Sequence, residues 1–338
     1  MTRLVNAPRD GAATLRWAGE GSDNMRVVVF EGVARRDEWP ELPEPVREAV
    51  ADRLGGTVVS AVNQRGGYSH GMAAVLTLAD GSRVFAKAVR DSDGLARAYR
   101  VEVTAAQGLS ALVSTPAVLF TLDSDGWFVV VFEFVDGRHP DLSRPDELRA
   151  VLALLARMAE ALTPSPLAGI PTVAGKFGPI LRSWTRFAEQ GAPPDLNPWA
   201  VRNLERLADL ETRWLDRSGG DTLLHTDLRP DNLLIDTGGS VSVVDWAWPC
   251  RGAAWLDLAA LAPAIASAGV DPDPILVEHP VTADLDPAAI DSFLCALAGY
   301  WSVQSRQSPP PRSPGLRLYQ ARAAQTSLSW LEFRTRWP

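Results

Sequence analysis

Residues 223–246 read LLHTDLRPDNLLIDTGGSVSVVDW. Asp227, Asn232 and Asp245 stand in this stretch among leucines, valines and a tryptophan. An unpaired carboxylate in apolar surroundings is costly, so a metal, a hydrogen-bond network or solvent has to compensate. LLID and VSVV are short apolar strands and TGGS supplies a turn, which predicts a β-hairpin. Placing Asp236 opposite Val241 carries Asn232 opposite Asp245 at the open end. Alternation puts Val241, Val243 and Asp245 on one side of their strand. Asp227 lies in the preceding loop, where Pro230 is expected to prevent a helix.

An amide oxygen and a carboxylate at a strand end, with a third carboxylate nearby, suit Mg2+. That ion takes a few protein oxygens and completes its shell with water and phosphate. Asp227, left uncoordinated, then suits a base toward a hydroxyl. The alternative reading is that Asp227 and Asn232 only cap turns, the common role of such residues in loops.

Composition bounds the rest. A chain of 338 residues suits two lobes, and 46% hydrophobic with 22% charged residues allows a sizeable core. The net charge of −8 argues against broad nucleic-acid binding, which needs a basic surface. Cys250 and Cys295 are the only cysteines, too few for a disulfide framework, and are expected as buried thiols. The N-terminus lacks a continuous apolar segment of the signal-peptide kind. The longest apolar run, LDLAALAPAIASAGV, is too short to span a bilayer and Pro263 interrupts it. These features predict a soluble cytoplasmic protein with no membrane partner, a monomer or weak dimer.

The chain divides by pattern. Residues 1–25 read as a loose tail, and MRVVVFEGV as an added strand. EPVREAVADRLGG predicts a short helix ending at Gly55 and Gly56. TVVSAVNQ, MAAVLTLADG and RVFAKAVR are strand-like, with ADGS as a turn. A helix is expected over 95–112, then two strands around the Asp-Gly turn of PAVLFTLDSDGWFVVVFEFVDG. Beyond Gly137 helices dominate. RPDELRAVLALLARMAEALTPSP is one. NPWAVRNLERLADLETRWLDR is another, opened by Asn197 and Pro198, with Val201, Leu204, Leu207, Leu210 and Trp214 on one face. DPAAIDSFLCALAGYWSVQSR follows, and a last helix runs from about Leu316 to Trp337. The expected fold is α+β and bilobal: an N-lobe over 26–135, a hinge near 132–137, and a helical C-lobe over 138–338.

HTDLRPDN resembles the catalytic loop H-x-D-L-x-x-x-N of the protein-kinase-like superfamily. VVDW stands where that superfamily places its second metal-binding aspartate. The tryptophan after it and the following LDLA are similar to the aminoglycoside phosphotransferase and choline kinase branch. The resemblance runs from about residue 45 to the end. It implies a protein-kinase-like fold, with a small antiparallel N-lobe carrying one helix. It implies ATP as phosphate donor, Asp227 as catalytic base, and Asn232 and Asp245 as ligands of Mg2+. His225 is then expected to brace the loop, Asp257 to bond loop amides from a buried position, and Asp231 to be a solvated loop charge.

The first lobe offers partners for this reading. Phe85, Lys87 and Val89 share a strand face, and a lysine among core-facing residues needs an anionic partner. The resemblance makes Lys87 the strand lysine for the α and β phosphates and Glu102 its helix partner. The alternative is that both are surface charges. GGYSHG, Gly66 to Gly71, is glycine-rich enough for backbone N–H groups to approach phosphates, with Gly67 and the region of Ser69 and His70 the candidates. A plain turn is the competing reading, because the stretch matches neither a Walker A motif nor G-x-G-x-x-G. VFEFVDG is the expected hinge, with Glu133 and Val135 offering backbone groups to the adenine.

The acceptor implied is a small-molecule hydroxyl, most readily an aminoglycoside or other antibiotic. Acidic side chains such as Glu332 would suit a cationic antibiotic. Trp184, Trp199, Trp246, Trp248, Trp255, Trp301 and Trp330 are expected mostly in the core. Rival readings are a kinase of choline, an amino sugar, homoserine or a similar metabolite, and a non-catalytic nucleotide-binding protein on the same fold. Mg2+-dependent ATP binding without transfer would mark the latter. A protein kinase is disfavoured, since no D-F-G or A-P-E segment occurs.

Overall fold

The computed structural model describes residues 34–64 and 66–338. The tail over 1–25 and the strand expected in MRVVVFEGV lie outside these residues. The N-lobe opens with α1 (Glu44–Leu54), which stops where Gly55 enters the left-handed region at φ 70°. β1 (Val58–Asn63), β2 (Met72–Leu78), β3 (Arg83–Arg90), α2 (Gly94–Leu109), β4 (Val118–Ser124) and β5 (Trp127–Glu133) follow. The sheet is antiparallel in the order β1-β2-β3-β5-β4. Asp125 and Gly126, at φ 47° and 74°, make the tight turn between β4 and β5.

Period-two alternation assigns each sheet face to a different helix. Trp127, Val129 and Val131 pack with Ala86 of β3 and with Val46 and Val50 of α1. Phe128, Val130 and Phe132 pack with Val89 of β3 and with Tyr99 and Val103 of α2. Each fully buried aliphatic or aromatic side chain contributes about 1.5–3 kcal/mol. Phe85, Lys87 and Val89 therefore point to the α2 side.

The C-lobe contains α3 (Pro145–Ala161), α4 (Val173–Phe177), α5 (Ser183–Gln190), α6 (Pro198–Arg202) and α7 (Leu204–Thr212). Short strands β6 (Thr222–Leu224), β7 (Leu233–Ile235), β8 (Val241–Val243) and β9 (Cys250–Gly252) come next. The chain closes with α8 (Trp255–Ser267), α9 (Pro272–Glu278), α10 (Pro287–Gln304) and α11 (Leu316–Thr335). Trp184, Trp199, Trp246 and Trp330 lie in the main C-lobe core and Trp255 in an adjoining one, whereas Trp248 is exposed. Both cysteines are buried free thiols.

The helix expected over 197–217 is broken. Asn197 caps its start through Trp199 and Ala200 N–H, but Asn203 bends the chain between α6 and α7. The Asn203 side chain donates to Trp199 O and Pro338 O, which holds the bend. Val201 falls outside the expected apolar face and is 48% exposed. Pro263 does not end its apolar run either, since α8 passes through it to Ser267. Among the described residues no helix is long and apolar enough to cross a membrane.

The lobes meet at the hinge and the hairpin. Arg138 and Ile235 exchange backbone bonds of 3.0 and 2.7 Å. Val243 N–H donates to Ser114 O at 2.8 Å on the other side. The β7–β8 hairpin is thus clamped between two N-lobe-proximal segments, which fixes its open end beside β3.

Candidate active site

Lys87 on β3 is buried and donates to both carboxylate oxygens of Glu102 on α2, at 2.7 and 2.8 Å. The same ammonium donates to Asp245 Oδ1 at 2.9 Å. Burial opposes the charge on Lys87, yet Asp245 and Glu102 together hold it above its ordinary range. Burial lifts the Glu102 carboxyl to about 7, with Lys87 pulling it back. Burial would raise Asp245 as well, but Lys87, His225 and Arg229 together outweigh it and this carboxyl sits below its ordinary value.

The HTDLRPDN loop is braced from beneath. Asp257 on α8 accepts from His225 N–H at 2.8 Å and from Thr226 N–H at 2.9 Å. Those bonds hold Thr226 at φ 63°, a conformation β-branched residues avoid. His225 is fully buried; its Nδ1 accepts from Asp227 N–H at 3.2 Å, so Nε2 carries the proton donated to Val244 O at 3.0 Å. Asn232 Nδ2 donates to Asp227 O at 2.7 Å and lies 3.3 Å from its Oδ2. This leaves Asn232 Oδ1 without a described donor. Asp227 keeps 33% of its side chain exposed. Burial still raises its carboxyl, with Arg229 and His225 only partly offsetting it, which suits a proton acceptor.

Asn232 and Asp245 line one cavity of about 650 Å³ with Lys87, Glu102, Gly67 and Ser69. A volume in this range fits a small-molecule ligand. Glu133 and Val135 line it at the hinge end. Glu133 N–H is already engaged by Ala117 O at 2.9 Å. Among the described residues none accepts from Val135 N–H, so that group is the available donor. His70 lies apart from this lining and pairs with Asp93 at 2.7 Å. The chemistry of the donor set fits Mg2+: a carboxylate and an amide oxygen, both hard, at one end of a cavity that also holds a lysine.

Several expectations change. The hairpin register is shifted by one: Leu233 faces Val243 and Ile235 faces Val241, so Asn232 lies opposite Val244, not Asp245. The strands end at Ile235 and resume at Val241, so Asp236 belongs to the connection with TGGS. Asp236 N–H donates to Ser240 O, Asp236 Oδ1 accepts from Gly238 and Ser240 N–H, and Gly239 takes φ 82°. Asp245 reaches the cavity because it leaves the strand at φ 67°. Pro230 does not prevent helix; it opens a short 3-10 turn, Pro230–Asn232, at the position where its missing N–H costs nothing. Asp231 is not solvated: Arg229 binds both its oxygens at 2.9 and 3.0 Å. Glu332 is exposed, near the far end of α11 from Tyr319, and lines no described cavity.

Two basic residues were not anticipated. Arg229 sits inside the quoted motif, 3.4 Å from Asp227 Oδ1, with its guanidinium near both the Tyr68 and Tyr319 rings. Its place in HTDLRPDN was the available signal. Arg36 lines the nucleotide-sized cavity from a segment with no motif at all.

The bilobal frame, the lysine–glutamate pair and the braced loop define a protein-kinase-like phosphotransferase. The family model described as the phosphotransferase enzyme family, APH, matches residues 64–293, and the chain belongs to that family. It is accordingly a phosphotransferase with an alcohol group as acceptor. No curated protein sequence matches the chain. Among solved structures it is similar to a thermostable mutant of aminoglycoside phosphotransferase APH(4)-Ia in complex with ADP and hygromycin B. There identity is 17% and the TM-score 0.58, over 85% of this chain and 98% of that one. Choline kinase LicA from Streptococcus pneumoniae gives 15% and 0.56, over 85% and 98%. Amicoumacin kinase hAmiN, in complex with AMP-PNP, Ca2+ and Ami, gives 12% and 0.52, over 83% and 93%. At these identities the structures speak to fold alone.

Proposed function

We propose that the chain moves the γ-phosphoryl group of ATP to a hydroxyl of a small molecule, with an aminoglycoside or another antibiotic as the favoured acceptor class. The observation that carries this reading is the convergence of Lys87, Asn232 and Asp245 on one cavity, with Asp227, itself outside that lining, bonded to Asn232. Lys87, held charged by Asp245 and Glu102, is suited to the nucleotide phosphates. Asn232 Oδ1 and Asp245 would hold Mg2+, which when bound neutralises charge on phosphate oxygens. Val135 N–H would meet the adenine edge.

Asp227 is the group placed to orient the acceptor hydroxyl and take its proton. Its raised carboxyl favours that transfer. Arg229, 3.4 Å away, limits the rise and steadies the side chain. Tyr319 of α11 has its ring near the Arg229 guanidinium, which itself lies 3.4 Å from Asp227 Oδ1; this supports an acceptor side between the catalytic loop and that helix. The remaining contribution is positioning, which supplies much of the rate in phosphoryl transfer.

A metabolite kinase is the second reading. The similarity to a choline kinase, at a TM-score of 0.56, supports it as much as the antibiotic kinases support the first. A coupled ADP-release screen over aminoglycosides, peptide antibiotics, choline and amino sugars decides between them. An acceptor of one class that raises ADP release above background selects its reading. Release with none, despite Mg·ATP binding, would favour a non-catalytic nucleotide-binding protein.

A further inference from the structure

Arg36 lies outside the span matched by the family model, which begins at residue 64, yet it lines the cavity beside Lys87 and Asp245. Its Nη2 donates to Gly66 O at 2.5 Å and its Nη1 to Gly71 O at 3.1 Å, so one guanidinium grips both ends of the glycine-rich loop. The segment that carries it is fixed on either side. Arg35 N–H donates to Arg312 O at 2.7 Å, and Arg312 Nε donates back to Arg35 O at 3.0 Å. Asp37 pairs with Arg312 Nη2 at 2.6 Å and gives its N–H to His70 O at 3.3 Å. Asn63 Nδ2 adds a bond of 3.1 Å to Asp37 O.

The charge balance of the cavity then singles out Arg36. Three cationic side chains line it: Arg36, Arg83 and Lys87. Lys87 has Glu102 and Asp245, and Arg83 has Asp136. Among the described residues Arg36 has no carboxylate at ion-pair distance; its partners are two neutral carbonyls. Among the described residues the rest of its planar donor fork has no partner. Burial depresses it, with Tyr99, Asp245 and Asp231 acting in the other direction from further away. A half-buried guanidinium with no ion-paired carboxylate among the described residues, beside a glycine-rich loop, is matched by a polyphosphate.

We propose that Arg36 is a phosphate-binding residue, delivered from outside the family's matched domain, which binds the nucleotide polyphosphate from under the glycine-rich loop in addition to Lys87. The proposal rests on the nucleotide reading above. Its test is calorimetric titration of ATP, ADP and AMP, with and without Mg2+, into the wild-type chain, R36Q and R36K. R36Q is expected to weaken ATP at least about tenfold, the scale of one charge-assisted hydrogen bond, while AMP changes less than about twofold. R36K, which keeps the charge and loses the two-armed grip, is expected to retain much of the preference for ATP over AMP. It also carries the test if R36Q does not fold. Equal losses for ATP and AMP in both variants would reduce Arg36 to a loop fastener and overturn the proposal, as would unchanged ATP affinity. A wild-type chain that binds none of the three nucleotides would instead defeat the nucleotide reading itself.

Discussion

Lys87 Nζ and Asp245 Oδ1 lie 2.9 Å apart although 158 positions separate them in the chain. One residue comes from the central strand of the N-lobe and the other follows the C-lobe hairpin. Their contact joins the two lobes across the cavity lining and leaves neither charge alone in apolar surroundings.

Removing the shared cation exposes that dependence. Lys87→Met leaves Glu102 as an uncompensated buried carboxylate and takes the cation from the part-exposed Asp245. It should lower the unfolding free energy by about 3–5 kcal/mol, the usual result of breaking a buried pair from one side. Lys87→Met combined with Glu102→Gln should recover a good part of that loss. Urea unfolding of the two variants checks this; a double variant as unstable as the single one would speak against the coupling.

The pH dependence of turnover should follow Asp227. Burial raises its carboxyl above 3.8. The base is charged only above its pKa, so kcat/KM should fall as pH drops through that raised value, higher than for an ordinary aspartate. Arg229 holds Asp227 down, so Arg229→Gln should move this acidic limb to still higher pH while lowering kcat. A limb that stays in place in Arg229→Gln would separate Asp227 from the titration.

Asp257 is a positioning residue for the loop. It accepts two backbone N–H bonds, from His225 and Thr226. Asp257→Ala orphans the buried His225 N–H, at about 1–3 kcal/mol, and the part-buried Thr226 N–H at less. Stability should fall accordingly, and kcat should fall well before the affinity for nucleotide changes. Melting curves and a kcat-against-KM comparison test both halves; a loss confined to nucleotide affinity would contradict the role.

The hinge is tight at Gly137. A Cβ there would meet Ile235 O at 3.0 Å and Leu234 Cβ at 3.3 Å. Gly137→Ala should therefore push the β7–β8 hairpin away and cost about 1–3 kcal/mol. Gly94→Ala, at the start of α2 with nothing near the new methyl group, should be neutral or stabilising. Thermal melts of the pair check the contrast, and equal melting temperatures would remove the steric argument.

Much of this architecture was legible because it rests on periodicity. RVFAKAVR predicted β3 to the residue, and alternation put Phe85, Lys87 and Val89 on one strand face, which the structure turns toward α2. The motif at 225–232 carried the loop, and its polar residues do meet, with Asn232 bonded to Asp227. What escaped depends on backbone acceptors and local turns. TGGS fits two loop lengths, and only the Asp236 bonds to Gly238 and Ser240 with the left-handed Gly239 choose between them. Arg36 binds the carbonyls of Gly66 and Gly71, which leave no mark in side-chain pattern. Asp231 was misread as solvated because its partner Arg229 lies two positions away in a loop, where spacing carries no directional information.

Asp227 is the proposed base that activates a small-molecule hydroxyl toward ATP. The direct test is the turnover of Asp227→Asn on the acceptor that the wild-type chain phosphorylates, followed by mass spectrometry of the product with Mg·ATP binding measured in parallel. Loss of a general base predicts kcat lower by about 10²–10⁴-fold with nucleotide affinity nearly unchanged. Full turnover by Asp227→Asn, with the same phosphorylated product, would contradict the account.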